Sequence, residues 1–182
     1  MLTHFPVAQK DELLTSILAR FIQQMGIKDD KVALDILFDN RMVVPSAFLQ
    51  GHIKQFLGQV GHVWNIEPLN LIEKHSHLPL FKPFIPVYRY ERLVADLVSG
   101  HVNLSMTRSG INASLIQWPA NYKICPQCWR VQLESLGFTY WQRLFQSPGV
   151  TVCPEHQCTL LDTSLVIHST HRHHMSSAAS MP

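Results

Sequence analysis

Cys125-Pro126-Gln127-Cys128 and, 25 positions after the second cysteine, Cys153-Pro154-Glu155-His156 constrain this chain more than any other feature. Two pairs of soft or borderline ligands, each spaced by two residues, suit one four-coordinate zinc ion. A Cys-x2-Cys turn aims both thiolates at one point while backbone amides approach the sulfurs. Cys-x2-His then supplies the opposite edge of a tetrahedron. Three cysteines and one histidine fill four positions and leave none for water. The expected role of Cys125, Cys128, Cys153 and His156 is therefore structural, not catalytic, and Glu155 beside them has no vacant metal position to serve as a base.

Competing uses of the cysteines fit less well. A disulfide framework requires export, and Met1-Leu2-Thr3-His4-Phe5-Pro6 has neither a basic start nor an apolar run. A thioredoxin-like pair at Cys125 and Cys128 leaves Cys153 and His156 unexplained at ligand spacing. Cys158 lies two residues past His156 on an expected return strand, Cys158 to Leu161. It reads as a small buried residue rather than a substitute ligand. No apolar stretch approaches the ~20 residues that span a bilayer. The cytoplasm of a bacterium is the expected location, with no membrane partner.

A chain of 182 residues can bury one good core, or two small ones of which one is clipped by metal. Only 15% of residues are charged against 46% apolar, a surface short of charge that favours life against a partner. Net charge is +2 with neutral histidines, so contact with DNA has to come from local placement of cations. The candidates are Arg41, Lys54, Arg108, Lys123, Arg130 and Arg143, acting on phosphate.

Periodicity predicts a mainly α fold: an N-terminal helical, helix-turn-helix-like region over 1–118, followed by a small zinc-bound α+β module over 119–166. A His-rich tail over 167–182 reads as disordered. Asp11 is placed to cap a first helix carrying Leu13, Leu14, Ile17, Leu18, Phe21, Ile22 and Met25, ended by Gly26. Asp29 or Asp30 opens a second. Pro45-Ser46 opens a third through Val60, whose Gln50, His52, Lys54, Gln55 and Gln59 resemble the polar face of a recognition helix. Glu67 to Lys74 and Tyr90 to Val98 make a fourth and a fifth. Between those two, three prolines at 79, 83 and 86 predict an extended strap whose aromatics lie on the core. A linker follows over Val102 to Ala120. In the module, Tyr122 to Ile124 reads as a strand, Trp129 to Leu136 as a helix ended by Gly137, and Phe138 to Gln146 as another helix. His75 and His77, and the run His168, His171, His173 and His174, read as polar or packed histidines rather than second metal sites.

Tyr122-Lys123-Ile124-Cys125-Pro126-Gln127-Cys128, then Gly137-Phe138-Thr139-Tyr140-Trp141-Gln142-Arg143, then Pro148-Gly149-Val150-Thr151-Val152-Cys153-Pro154-Glu155-His156 with Leu160-Leu161, resembles the TnsD/TniQ family of transposition proteins. Phe5-Pro6-Val7, Asp11-Glu12-Leu13-Leu14 and Ile17-Leu18-Ala19-Arg20 are similar to the family's opening helix. Asn40-Arg41, Leu78-Pro79, Pro83-Phe84 and His171-Arg172-His173 extend the likeness over residues 4 to 174. The resemblance implies a target-selection adaptor rather than an enzyme. Such an adaptor binds target DNA, or is delivered to it by an RNA-guided complex, and recruits a AAA+ ATPase regulator of the transposase. It further implies that the apolar helices from Phe5 to Leu37, rimmed by Gln9, Lys10 and Gln23, face the ATPase. The alternatives are a zinc-containing DNA-binding module unrelated to transposition and an inactive, truncated copy.

Overall fold

Leu14, Ile17, Leu18 and Phe21 recur at three- and four-residue intervals and form the buried face of α1 (Leu14–Gln24). The computed structural model describes residues 2–101, 117–168 and 170–181. The linker residues 102–116, with Arg108 among them, lie outside the described residues. Asp11 does not cap α1. Leu13 holds that position, while Asp11 adopts a left-handed backbone (φ 56°) and turns its carboxylate to Arg143. Asp29 does cap α2 (Asp30–Phe38), accepting from the amides of Lys31 and Val32.

The third helix is shorter than its sequence predicts. α3 covers Ile53–Val60, because His52 sits at φ 60° just before it. Gln50 is buried, accepting from the Ser46 amide and donating to the Gly51 carbonyl. Gln50 and His52 are thus lost to any recognition helix, and Lys54, Gln55 and Gln59 remain on α3. α4 (Pro68–His75) and α5 (Val87–Ser99) complete the helical part. α5 stops at Gly100, where φ is 93° and an added Cβ would lie 2.5 Å from the His52 ring. Only glycine satisfies both conditions.

Phe5 lies at the centre of this core, within 5.4 Å of the rings of Phe21 and Phe56 and 5.5 Å of Trp64. The three-proline strap is not extended. Leu78–Phe84 forms a 3-10 helix with Pro79 in its first turn, a conformation that proline's fixed φ permits where the missing amide is not needed. Nor do all its aromatics cover the core: Phe84 is 83% exposed.

β1 (Asn121–Ile124) pairs antiparallel with β2 (Leu161–Val166), Lys123 opposite Asp162 and Ile124 opposite Leu161. The other edge of β1 is closed by a side chain. Buried Gln146 accepts from the Lys123 amide at 2.8 Å and donates to the Lys123 carbonyl at 3.0 Å, as a third strand would. α6 (Pro126–Leu136) follows β1 and ends at Gly137, φ 76°. The helix expected over Phe138 to Gln146 is absent except for a 3-10 turn at Leu144–Gln146. Its backbone is claimed by the N-terminal segment instead. The Leu13 amide donates to Trp141, the Arg143 amide to Asp11, and Glu12 bridges Gln142.

This pairing brings the two regions that the sequence suggests into contact. Leu13, Ala47 and Phe48 share one apolar cluster with Tyr122, Trp141, Ile167 and Ala178, and Tyr122 stacks on Trp141 at 4.3 Å. The tail, read as disordered, lies against the same surface. Met175 joins the helical core, the Trp141 indole donates to the Ser176 carbonyl, and Ser177 donates to Gln23. An unbranched methionine adapts its shape to whatever gap the helices leave.

Beneath the junction lies an ion pair. Arg20 donates through Nε and Nη2 to both oxygens of Glu12 at 2.9 and 2.8 Å, with side chains 6% and 0% exposed. Ser16 and the Gln9 amide also donate to the carboxylate, Val7 accepts from Arg20, and the guanidinium sits 4.4 Å over the Phe138 ring. Arg20→Ala strands a buried carboxylate and is expected to lower stability by about 3–5 kcal/mol, read as a shifted denaturant midpoint. Adding Glu12→Gln should recover part of the loss, since a neutral amide costs less to bury than an unpaired charge.

Candidate metal centre

Strand β1 carries Cys125 to the start of α6, where its sulfur accepts from the Cys128 amide at 3.4 Å. The second loop repeats the device: Cys153 Sγ accepts from the His156 amide at 3.4 Å. A proline after each cysteine, Pro126 and Pro154, fixes φ where no amide donor is needed. The second loop is closed as a hairpin by the Cys153 amide donating to the Cys158 carbonyl and the Leu160 amide donating to Thr151, with Gln157 at φ 52° making the turn.

The four side chains converge. His156 Nδ1 lies 3.5 Å from Cys125 Sγ, 3.3 Å from Cys128 Sγ and 3.6 Å from Cys153 Sγ, and Cys128 and Cys153 sulfurs are 3.7 Å apart. All four donor atoms fall within 4.8 Å of one another. A tetrahedron with metal–sulfur bonds of ~2.3 Å and metal–nitrogen bonds of ~2.0 Å has edges of about 3.8 and 3.5 Å. The residues therefore fit a four-coordinate ion. The three ligand cysteines are buried. Burial first, then the neighbouring Cys153 and Cys125, push the Cys128 thiol up, whereas at Cys125 burial is outweighed by hydrogen bonds from Cys128, Cys158 and Cys153, which hold its thiol down. Among the described residues this is the one cluster of three or more such side chains that can hold an ion.

Cys158 departs from its expected burial. It is half-buried, with its sulfur 3.4 Å from that of Cys125. The histidine run is engaged elsewhere: His173 Nδ1 is 2.9 Å from the Val43 carbonyl and His174 pairs with Asp30 at 3.3 Å.

The proposed DNA-contacting cations fall into three places. Arg41 follows α2 and Lys54 opens α3, both exposed. Lys123 on β1 is half-buried with its ammonium 3.5 Å from the Val150 carbonyl, and exposed Arg130 on α6 stands 3.9 Å from Glu134. Arg143 is committed inside the chain instead. Its Nε donates to Asp11 at 2.9 Å, and its Nη1 donates to the carbonyls of Glu73 and Ser76 at 2.6 and 3.1 Å. It pins the metal-bearing part to the end of α4, and Nε and Nη1 are already engaged there. Asp11, Glu12, Arg20 and Gln146 escaped sequence reasoning as functional parts. The signal was present in the landmarks Asp11-Glu12-Leu13-Leu14 and Trp141-Gln142-Arg143, which prove to be each other's partners.

Residues 3–160 match the TniQ family. The chain belongs to the TniQ family. Among relatives of this TniQ chain, the transposon Tn7 transposition protein TnsD of Escherichia coli is 30% identical over 173 residues, covering 93% of this chain. The chain spans 33% of that relative's length. Membership sets aside the alternative of a zinc module unrelated to transposition proteins. Among the described residues of this TniQ protein, no helix is long and apolar enough to cross a membrane.

Two outcomes follow for this centre. Cys125→Ser should abolish stoichiometric metal binding and unfold the loops around it, whereas Cys158→Ser should retain one ion per chain, both read by elemental analysis of the purified protein. The second concerns pH. His77, bonded through Nε2 to the Arg143 carbonyl, is driven down to about 4 by burial, and burial lowers His75 as well. The unfolded chain then takes up a proton that the folded one refuses, so this contribution is complete above pH ~6.5 and is lost as pH falls towards 4. The loss is on the order of 3 kcal/mol for His77, and His77→Gln should flatten the dependence of stability on pH across that window.

Proposed function

We propose that this chain is a target-selection adaptor in DNA transposition, contacting target DNA through phosphates and recruiting a AAA+ ATPase regulator of the transposase. The observation that carries this reading is the family match over residues 3–160, which spans both the helical part and the metal loops. On this reading the ion is zinc, held by Cys125, Cys128, Cys153 and His156. Bound zinc supplies folding energy and no reaction, because four protein ligands leave it no open position. The remaining work belongs to the chain. Gln146 holds β1 in place for Cys125, and Arg143 with Asp11 ties the metal loops to α4.

The apolar residues of Phe5 to Leu37, which the family resemblance assigned to the ATPase, are largely internal: Phe5, Leu13, Leu14, Ile17, Leu18, Phe21, Leu34 and Leu37 are all buried. Exposed apolar side chains lie elsewhere. Phe84 at the end of the 3-10 helix and Val87 and Tyr88 at the start of α5 are 83%, 73% and 67% exposed, and Arg89 and Arg92 follow on α5. Aromatic and arginine side chains of this kind are enriched where proteins bind one another. We place the ATPase contact there, and the DNA contact on Arg41, Lys54, Lys123 and Arg130 together with Arg108.

Capture of the cognate ATPase by the purified chain, run beside a footprint on candidate target DNA, tests the adaptor role. Capture is expected, and Phe84→Ala with Tyr88→Ala should weaken it about tenfold or more. DNA binding should fall steeply with salt, and each of Lys54→Ala and Arg130→Ala should reduce the salt slope by about one. Arg143→Ala should lower stability and leave the slope alone. No capture of the ATPase and no salt-dependent DNA binding would sink the reading.

A further inference from the structure

Cys158 stands at the metal centre without belonging to the four-ligand set. Its sulfur is 3.4 Å from Cys125 Sγ, close to one sulfur–sulfur edge of a tetrahedral site. Its backbone is held by contacts other than those of the His156 imidazole. The Cys153 amide donates to the Cys158 carbonyl at 2.9 Å, and Val152 pairs with Thr159 across the same hairpin. The backbone of Cys158 is therefore held opposite a ligand cysteine whatever the imidazole does. The side chain packs at the edge of the cluster formed by Cys125, Cys128, Cys153, Phe145 and Leu160, and it is accessible enough to move. His156 is the least buried of the four ligands and the only nitrogen among them.

We infer that Cys158 is a reserve ligand: when His156 leaves the ion, the Cys158 sulfur takes the fourth position and converts a set of three thiolates and one imidazole into a set of four thiolates. The inference rests on the metal reading given under Proposed function. In the exchange the metal–nitrogen bond breaks, a metal–sulfur bond forms, the Cys158 thiol releases its proton to solvent, and the imidazole departs neutral. No oxidation takes place. An all-sulfur set suits softer ions, so the exchange widens the site towards cadmium or cuprous ions.

Cobalt(II) bound to the full chain is the probe, because its sulfur-to-metal charge-transfer absorption grows with each thiolate bound. The unaltered chain and Cys158→Ser should each bind one cobalt ion with the absorption of three thiolates. His156→Ala and, independently, His156→Asn should still fold in metal and bind one ion, now with the absorption of four thiolates. Adding Cys158→Ser to either should weaken binding roughly hundredfold or more, since loss of a ligand costs at least as much as loss of a residue that merely orients one. The inference is overturned if both His156 variants bind no ion, keep a three-thiolate spectrum, or bind equally well with and without Cys158. An unaltered chain that binds neither cobalt nor zinc sinks the metal reading itself, a result distinct from failure of the His156 variants alone.

Discussion

The antiparallel contact between Asp11–Leu13 and Trp141–Leu144 is the constraint on which the rest of this structure depends. It is short, yet it joins residues more than 120 positions apart. Loop closure over that separation is entropically costly, so it has to be offset by groups that gain much from being together. Those groups are present. Leu13 and Trp141 bury apolar surface, Arg143 exchanges water for a carboxylate and two carbonyls, and the Glu12–Arg20 pair neutralises itself directly beneath. Both oxygens of Glu12 find donors, which is the condition under which a buried pair is tolerated.

From that junction the metal centre inherits its position. Trp141 stacks on Tyr122 of β1, β1 carries Cys125, and Gln146, one turn past Arg143, completes the hydrogen bonds of the same strand. The ligands therefore stand on elements anchored to the helical core. Among the described residues the metal loops and the helices share an apolar cluster, and the tail lies across the seam. For the adaptor role proposed above this matters physically. A surface on α5 and cations on β1 and α6 keep a constant relation when the parts between them are packed, and a partner held at one can be presented to a partner held at the other.

The four-residue cluster was legible in the sequence because metal chemistry demands residue types at short, local spacing: Cys125, Cys128, Cys153 and His156 meet as their intervals predict. The helices with strong periodicity were legible too, as were the Asp29 cap and the Gly137 stop, since each depends on neighbours within one or two turns. Phe138 to Gln146 was not. Its bulky residues have helical spacing, but its amides and carbonyls have partners at Asp11 and Leu13 that no local rule can see. The same holds for Asp11, whose identity suits a helix cap and whose carboxylate is used by Arg143 and the Leu144 amide.

By itself, then, the sequence determined the convergence of Cys125, Cys128, Cys153 and His156, the mainly helical character and the family, all of which rest on short-range spacing or on motifs. Only the tertiary structure decided which residues face outward and which cations are already spent. Apolar content marks Phe5 to Leu37 and Phe84 to Tyr88 alike, yet the first is largely core and in the second Phe84, Val87 and Tyr88 lie at the surface. Arg143 and Arg130 are the same residue type beside the same loops, and one is held by three hydrogen bonds while the other is exposed with only a 3.9 Å approach to Glu134. Exposure and pairing are properties of what folds back against a residue, and those partners come from the far end of the chain.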